Sequence, residues 1–183
     1  MTINLPKLIG HRGVKDLAPE NTLQSINQAI ELNIKWVEVD VKISKDHIPF
    51  LLHDSSLERT TSGKGSPLDY KYSELCKLDA GSWFDEKYKN LYLPTLKETL
   101  DLCSQKSIGV NIELKPNKGS EEENVVAITF ASSKPLLGFN SMFTPIFFCE
   151  QIFKTSLRVG GYKFLYFLSN HEPASNLNNS QYL

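Results

Sequence analysis

Five short polar clusters follow one another along the first two thirds of this chain: His11-Arg12-Gly13, Glu20-Asn21-Thr22, Glu38-Val39-Asp40, His53-Asp54 and Glu113-Leu114-Lys115. Each rides on or just after an apolar run. Together they supply five carboxylates, Glu38, Asp40 and Glu113 among them, with two histidines, an arginine and a lysine. That inventory fits metal-assisted attack on a phosphodiester, in which hard oxygen ligands hold a divalent cation, imidazoles move protons and fixed cations hold the phosphate. Taken singly the clusters are weak, since an isolated His-Arg-Gly or His-Asp is ordinarily a turn with satisfied polar groups. Glu38 with Asp40 says more, because a salt-bridged strand pair would need cationic partners that no neighbouring residue obviously supplies.

The elements that must position these groups are readable from periodicity. Lys7-Leu8-Ile9 is a short strand leading into Gly10-His11-Arg12-Gly13. Asn21-Thr22 offers a cap for a helix whose apolar residues Leu23, Ile26, Ala29 and Ile30 recur at helical spacing, ended by Asn33. Trp36 to Val41 alternates with period two, so Val37, Val39 and Val41 face one way while Glu38 and Asp40 project together the other way. Ile48 to Leu52 is a further strand, reached from Ser44 through only Lys45-Asp46-His47. That link is too short for a parallel crossover, so the strand returns as a hairpin and brings His53 alongside Glu38. A polar excursion runs from Ser55 to Pro94, with a helix around Ser73 to Leu78. Thr95 to Cys103 then reads as a helix feeding the strand Val110 to Leu114, whose alternation puts Glu113 on one face with Asn111 and Lys115.

Composition bounds the possibilities. At 183 residues, 40% hydrophobic and 22% charged, the chain reads as one soluble domain by default. A formal net charge of -1 leaves no basic excess for a run of phosphates, which argues against nucleic acid as a partner and favours a small anionic ligand. Met1 to Gly10 holds no apolar core of signal-peptide length, and Phe143 to Leu168 is interrupted by Glu150, Lys154, Arg158 and Lys163. The expectation is therefore a cytoplasmic protein without a membrane span. Cys76, Cys103 and Cys149 are far apart and lack metal-ligand spacing, so they read as buried or idle thiols. Nothing in the sequence sets the oligomeric state.

The ordered series resembles the glycerophosphodiester phosphodiesterase family, within the phospholipase C-like phosphodiesterases on a TIM-type barrel. The resemblance covers roughly Leu8 to Val126. It rests on Gly10 to Gly13 followed by Ala18-Pro19-Glu20-Asn21-Thr22, then Val37 to Val41, Leu52-His53-Asp54, Asp79-Ala80-Gly81-Ser82-Trp83-Phe84 with Leu93-Pro94-Thr95-Leu96, and Asn111 to Lys115. It implies that Glu38, Asp40 and Glu113 coordinate Mg²⁺ or Ca²⁺, that His11 and His53 are the acid and base, and that Arg12 and Lys115 clamp the phosphate. Glu20 either orients the first loop or touches metal; Trp83 or Phe84 either covers the alcohol moiety or packs in the core. The implied reaction is hydrolysis of a small-molecule glycerophosphodiester to glycerol 3-phosphate and an alcohol. His47, in the hairpin turn, and His171 read as bystanders.

Two features depart from that family. An eightfold barrel typically needs about 250 residues and roughly 200 at the lower end, more than this chain has. Only six charged side chains, Lys134, Glu150, Lys154, Arg158, Lys163 and Glu172, lie beyond Asn124, whereas eight of the 10 phenylalanines do. The expected fold is an incomplete α/β TIM-type barrel of three to four strands plus a hairpin excursion, with Leu136 to Phe139 a fourth strand and Tyr162 to Leu168 a doubtful fifth. Residues 1–126 form the family-like part, and 127–183 a divergent segment with a loose tail from Ser169. The chain is expected to leave the family frame between Val126 and Phe143, as a frameshifted or truncated gene would. The alternative function is an inactive fragment that at most binds metal or a partner.

Overall fold

A computed structural model of the chain describes residues 7–115 and, beyond them, the backbones of five short strands. The elements are β1 (Leu8–Ile9), α1 (Leu23–Glu31), β2 (Trp36–Ile43), β3 (Pro49–Leu51), α2 (Tyr72–Leu75), α3 (Leu96–Gln105), β4 (Gly109–Leu114), β5 (Ile146–Cys149), β6 (Arg158–Val159), β7 (Tyr162–Lys163), β8 (Tyr166–Leu168) and β9 (Gln181–Tyr182). The main sheet has the order β3-β2-β4-β5-β8 and is parallel except for β3, which returns antiparallel to β2. β1 joins it through a parallel bridge from Gly10 to Val37 and pairs in parallel with β9. The expected strand from Tyr162 to Leu168 divides in two: β7 pairs with β6, and β8 enters the main sheet. The strand expected at Leu136 to Phe139, the composition break, His171 and most of the tail lie outside the described residues.

The helices form where their caps and apolar spacing require. Thr22 caps α1 by accepting from the Ser25 amide (3.1 Å), and Ile26 and Ala29 are fully buried. The helix stops at Asn33, which takes a left-handed φ of 60°. α3 opens on a capping box in which Thr95 and Glu98 satisfy each other's amides, a motif whose cap alone is worth about 1 kcal/mol. Both helices cover one face of the sheet, packing Ile26, Ala29, Leu96 and Leu100 into the same core cluster as Val37, Val39, Val110 and Ile112. Each such fully buried aliphatic side chain contributes about 1.5–3 kcal/mol.

Because that face is sealed by helices, the opposite face of β2 and β4 must carry the polar groups. In register, Glu38 stands opposite Asn111 and Asp40 opposite Glu113. β4 approaches β2 closely where it begins: a Cβ on Gly109 would fall 2.3 Å from the Trp36 ring, so a larger residue there must displace that ring. The polar excursion is not a loose loop. Phe50 and Leu52 share a second buried cluster with Leu57, Leu75, Ala80 and Leu93, which folds residues 55–94 over β3. Its helix is shorter than the spacing suggests, Tyr72–Leu75 rather than Ser73 to Leu78. His47 is exposed at the hairpin turn, with φ of 59° and its amide donating to Ser44 O.

Candidate active site

Glu38, Asp40 and Glu113 each offer one oxygen within 4.8 Å of the others, on the face that sheet alternation assigned to them. Glu38 and Asp40 are buried, at 3% and 0% exposure. Each commits one oxygen to the protein. Glu38 Oε2 accepts from the Arg12 amide (3.0 Å), and Asp40 Oδ2 accepts from Asn21 Nδ2 (2.9 Å). The other oxygens, Glu38 Oε1 and Asp40 Oδ1, accept no hydrogen bond. Burial, then the neighbouring charges of Asp40 and Glu113, push the Glu38 carboxyl well above its usual range. Contrary to the sequence expectation, cations do stand nearby. Arg12 Nε lies 3.1 Å from Asp40 Oδ2 without hydrogen-bond alignment, Lys115 Nζ lies 3.7 Å from Asp40 Oδ1, and Lys115 also donates to Glu113 Oε1. They do not satisfy the two orphaned buried oxygens. That donor set fits a hard divalent cation, which takes carboxylate oxygens as ligands.

One edge of β2 explains how the chain is led to both histidines. Gly10 exchanges hydrogen bonds with Trp36 O (2.9 Å) and Glu38 N (2.7 Å), and Glu38 O accepts from Gly13 N (3.1 Å). Further along the same edge, Leu52 N donates to Asp40 O (3.1 Å). Between them the Asp40 amide donates to Asn21 Oδ1 (3.1 Å). Thus β1 and β3 come along one edge from opposite directions, and His11 and His53 follow their ends. His11 Nε2 lies 3.8 Å from Glu38 Oε2. Burial, reinforced by Arg12 and Lys15, lowers the His11 pKa to about 4, so its imidazole is neutral at pH 7. His53 Nδ1 lies 2.7 Å from Asp54 Oδ1.

The loop carrying His11 and Arg12 is held in a narrow conformation. Arg12 and Gly13 have φ of 52° and 84°. Ser25 Oγ, from the start of α1, accepts from Val14 N (2.8 Å) and donates to Arg12 O (2.7 Å). A Cβ on Gly13 would fall 2.0 Å from that hydroxyl. Gly13→Ala is therefore expected to destabilise the chain by about 2 kcal/mol or more, through left-handed strain and overlap together. The measurement is urea unfolding, and an unchanged midpoint would contradict the account.

Three participating residues escape sequence reasoning. Arg59, in the excursion, pairs with Glu20 through Nη1 (2.9 Å) and Nη2 (2.7 Å), and with Asp54 through Nε (2.5 Å) and Nη2 (3.0 Å). Asn21 reads as a helix cap in sequence, but Thr22 takes that role and Asn21 grips Asp40 instead. Lys42 extends the Glu38–Asp40 alternation by one step. It is buried, donates to Lys115 O (3.2 Å), and has its pKa lowered to about 8, first by burial. Glu20 accepts from Arg12 Nη1 (2.9 Å), which orients the first loop. Trp83 is 38% exposed, stands edge-on to Phe84 and donates to Ala80 O. Cys103 is a buried thiol with its pKa pushed up to about 12 by burial, and Cys76 is half-buried.

A run of parallel β/α units with an acidic cluster on the face away from the helices defines a class, the barrel proteins that can hold a cation at their strands. The family model described as "Glycerophosphoryl diester phosphodiesterase family" matches residues 11–145, and the chain belongs to that family. It is 39% identical over 125 residues to a glycerophosphodiester phosphodiesterase of Caldanaerobacter subterraneus, covering 66% of this chain and 51% of that protein. A glycerophosphodiester phosphodiesterase of Bacillus altitudinis is 39% identical over 112 residues, 61% of this chain and 46% of its own length. Among solved structures, an Oleispira antarctica phosphodiesterase in complex with the product sn-glycerol-3-phosphate superposes with a TM-score of 0.74 at 41% identity, over 79% of this chain and 57% of that one. The chain spans about half the length of the curated relatives it matches. A partial TIM-type barrel fits both these neighbours and the sheet observed here.

Proposed function

We propose that the chain carries the site of a metal-dependent hydrolase acting on glycerophosphodiesters, yielding glycerol 3-phosphate and an alcohol. The observation that carries this reading is the convergence of Glu38, Asp40 and Glu113 with two buried oxygens left unsatisfied. These three residues would hold Mg²⁺ or Ca²⁺, which when bound neutralises charge on the phosphoryl oxygens. Arg12 and Lys115 bind the phosphate, the guanidinium matching two oxygens at once. One imidazole of the His11 and His53 pair takes a proton from the attacking oxygen as the new P–O bond forms and the bond to the alcohol breaks; that oxygen is either water's or a substrate hydroxyl's, in which case water then opens the cyclic diester. The other returns a proton to the departing alkoxide. The glycerol phosphate product of the Oleispira relative supports this substrate class.

The same reading divides the chain into a family-like part, 1–126, and a divergent segment, 127–183. Among the described residues no helix is long and apolar enough to cross a membrane. The test is release of sn-glycerol 3-phosphate from glycerophosphodiesters with choline, ethanolamine or glycerol head groups. Release is expected with Mg²⁺ or Ca²⁺ supplied. A folded, cation-binding chain that releases none would favour the second reading, a non-catalytic fragment, which the half-length span relative to its relatives supports.

A further inference from the structure

We propose that Arg59 is a positioning residue that holds His53 and Arg12 in one frame, acting on the first through Asp54 and on the second through Glu20. The inference rests on the hydrolase reading for the roles of His53 and Arg12, and on geometry for the rest. Arg59 lies in the excursion, outside every strand of the barrel wall, yet its guanidinium makes four hydrogen bonds to two carboxylates. Each of those carboxylates grips one proposed functional side chain: Asp54 Oδ1 meets His53 Nδ1 at 2.7 Å, and Glu20 Oε1 meets Arg12 Nη1 at 2.9 Å. The result is a continuous chain of contacts, His53–Asp54–Arg59–Glu20–Arg12, ending at Asp40.

Arg59 itself is well placed to hold the middle of that chain. Leu57 is fully buried in the cluster under β3, its amide donates to Gly65 O (3.0 Å), and the Thr61 amide and hydroxyl both donate to Leu57 O (3.1 and 2.7 Å). The turn presenting Arg59 is thus fixed at both ends. A planar fork of donors matches two carboxylates at once, which a lysine ammonium cannot reproduce. Asp54 is drawn down to about 2, first by the Arg59 hydrogen bonds, so it stays ionised and accepts from His53 Nδ1–H. That fixes the tautomer and leaves Nε2 as the nitrogen available for proton transfer.

The experiment uses the full 183-residue chain, with Arg59→Ala and Arg59→Lys, and reads the ¹⁵N shifts of the His53 ring at fixed pH together with inorganic phosphate affinity. In the unaltered chain His53 shows a protonated Nδ1 and a bare Nε2. Arg59→Ala releases Asp54, and the two His53 nitrogen shifts move toward the averaged values of a free imidazole. Phosphate affinity falls about 10-fold, and turnover falls with a drop in kcat beyond any change in KM. Arg59→Lys keeps the charge without the fork and moves both readouts part of the way; it decides the matter alone should Arg59→Ala fail to melt cooperatively. His53 shifts and phosphate affinity unmoved in the folded variants would overturn the proposal and leave Arg59 a structural ion pair. Neither readout needs turnover. A chain that hydrolyses nothing but shows the His53 change loses the hydrolase reading and keeps Arg59, whereas an active chain without that change does the reverse.

Discussion

Asp40→Asn is expected to reduce glycerophosphodiester turnover by about 10³-fold or more and to lower the affinity for Mg²⁺ or Ca²⁺ in parallel, while the chain stays folded. The substitution keeps the shape of a side chain that is 0% exposed and removes only its charge. Asn21 donates to Oδ2, and the amide oxygen can still accept from it. What is lost is an anionic oxygen facing Glu38 and Glu113. Chelation should abolish turnover in the unaltered chain, and added cation should restore it. The folded state itself is not expected to suffer, because Asp40 is one of the charges that raise the Glu38 carboxyl, and its neutralisation relieves that repulsion. Calorimetric titration with the cation and a parallel assay make the check; undiminished cation affinity in Asp40→Asn would remove Asp40 from the ligand set.

His53→Ala should lower turnover by about 10²- to 10⁴-fold and leave cation affinity nearly unchanged, a separation that distinguishes a proton carrier from a ligand. The expectation follows from placement. His53 is oriented by Asp54 rather than by any of the three clustered carboxylates, so its loss leaves the cation ligands in place. The contrast with Asp40→Asn is the informative part, since one variant loses both properties and the other only one. A near-normal rate for His53→Ala, with the site otherwise intact, would withdraw the imidazole assignment.

Much of this site was legible because it rests on local periodicity. Alternation along β2 is enough to put Glu38 and Asp40 on one face, and continuing it by one residue would have found Lys42. The short link from Ser44 to Ile48 forces a hairpin and hence brings the chain back to Asp40 just before His53. Thr22 and Thr95 announce their helices by chemistry that acts within three residues. Arg59 and Asn21 act instead across 39 and 19 positions of chain. Their partners are set by how the excursion and the first loop pack, which no spacing rule encodes. The missing cations were a misjudgement of the same kind. Arg12 stands beside Asp40 from a left-handed backbone position, and that conformation carries no signature at an arginine.

The way β1 and β3 share one edge of β2 has a consequence for what the family scaffold can tolerate. Two strands approaching along a single track leave an interval of one peptide, and the Asn21 amide occupies it as a substitute for the backbone. The separation of the two imidazoles is thereby gauged by strand residues and not by loop length. A residue added between Gly10 and Gly13, or between Leu52 and Asp54, has no spare track to enter. It must evict the amide that completes the ladder and steadies the Asp40 carboxylate. The 55–94 excursion begins only after this junction, so the gauge is set before its own packing over β3 begins.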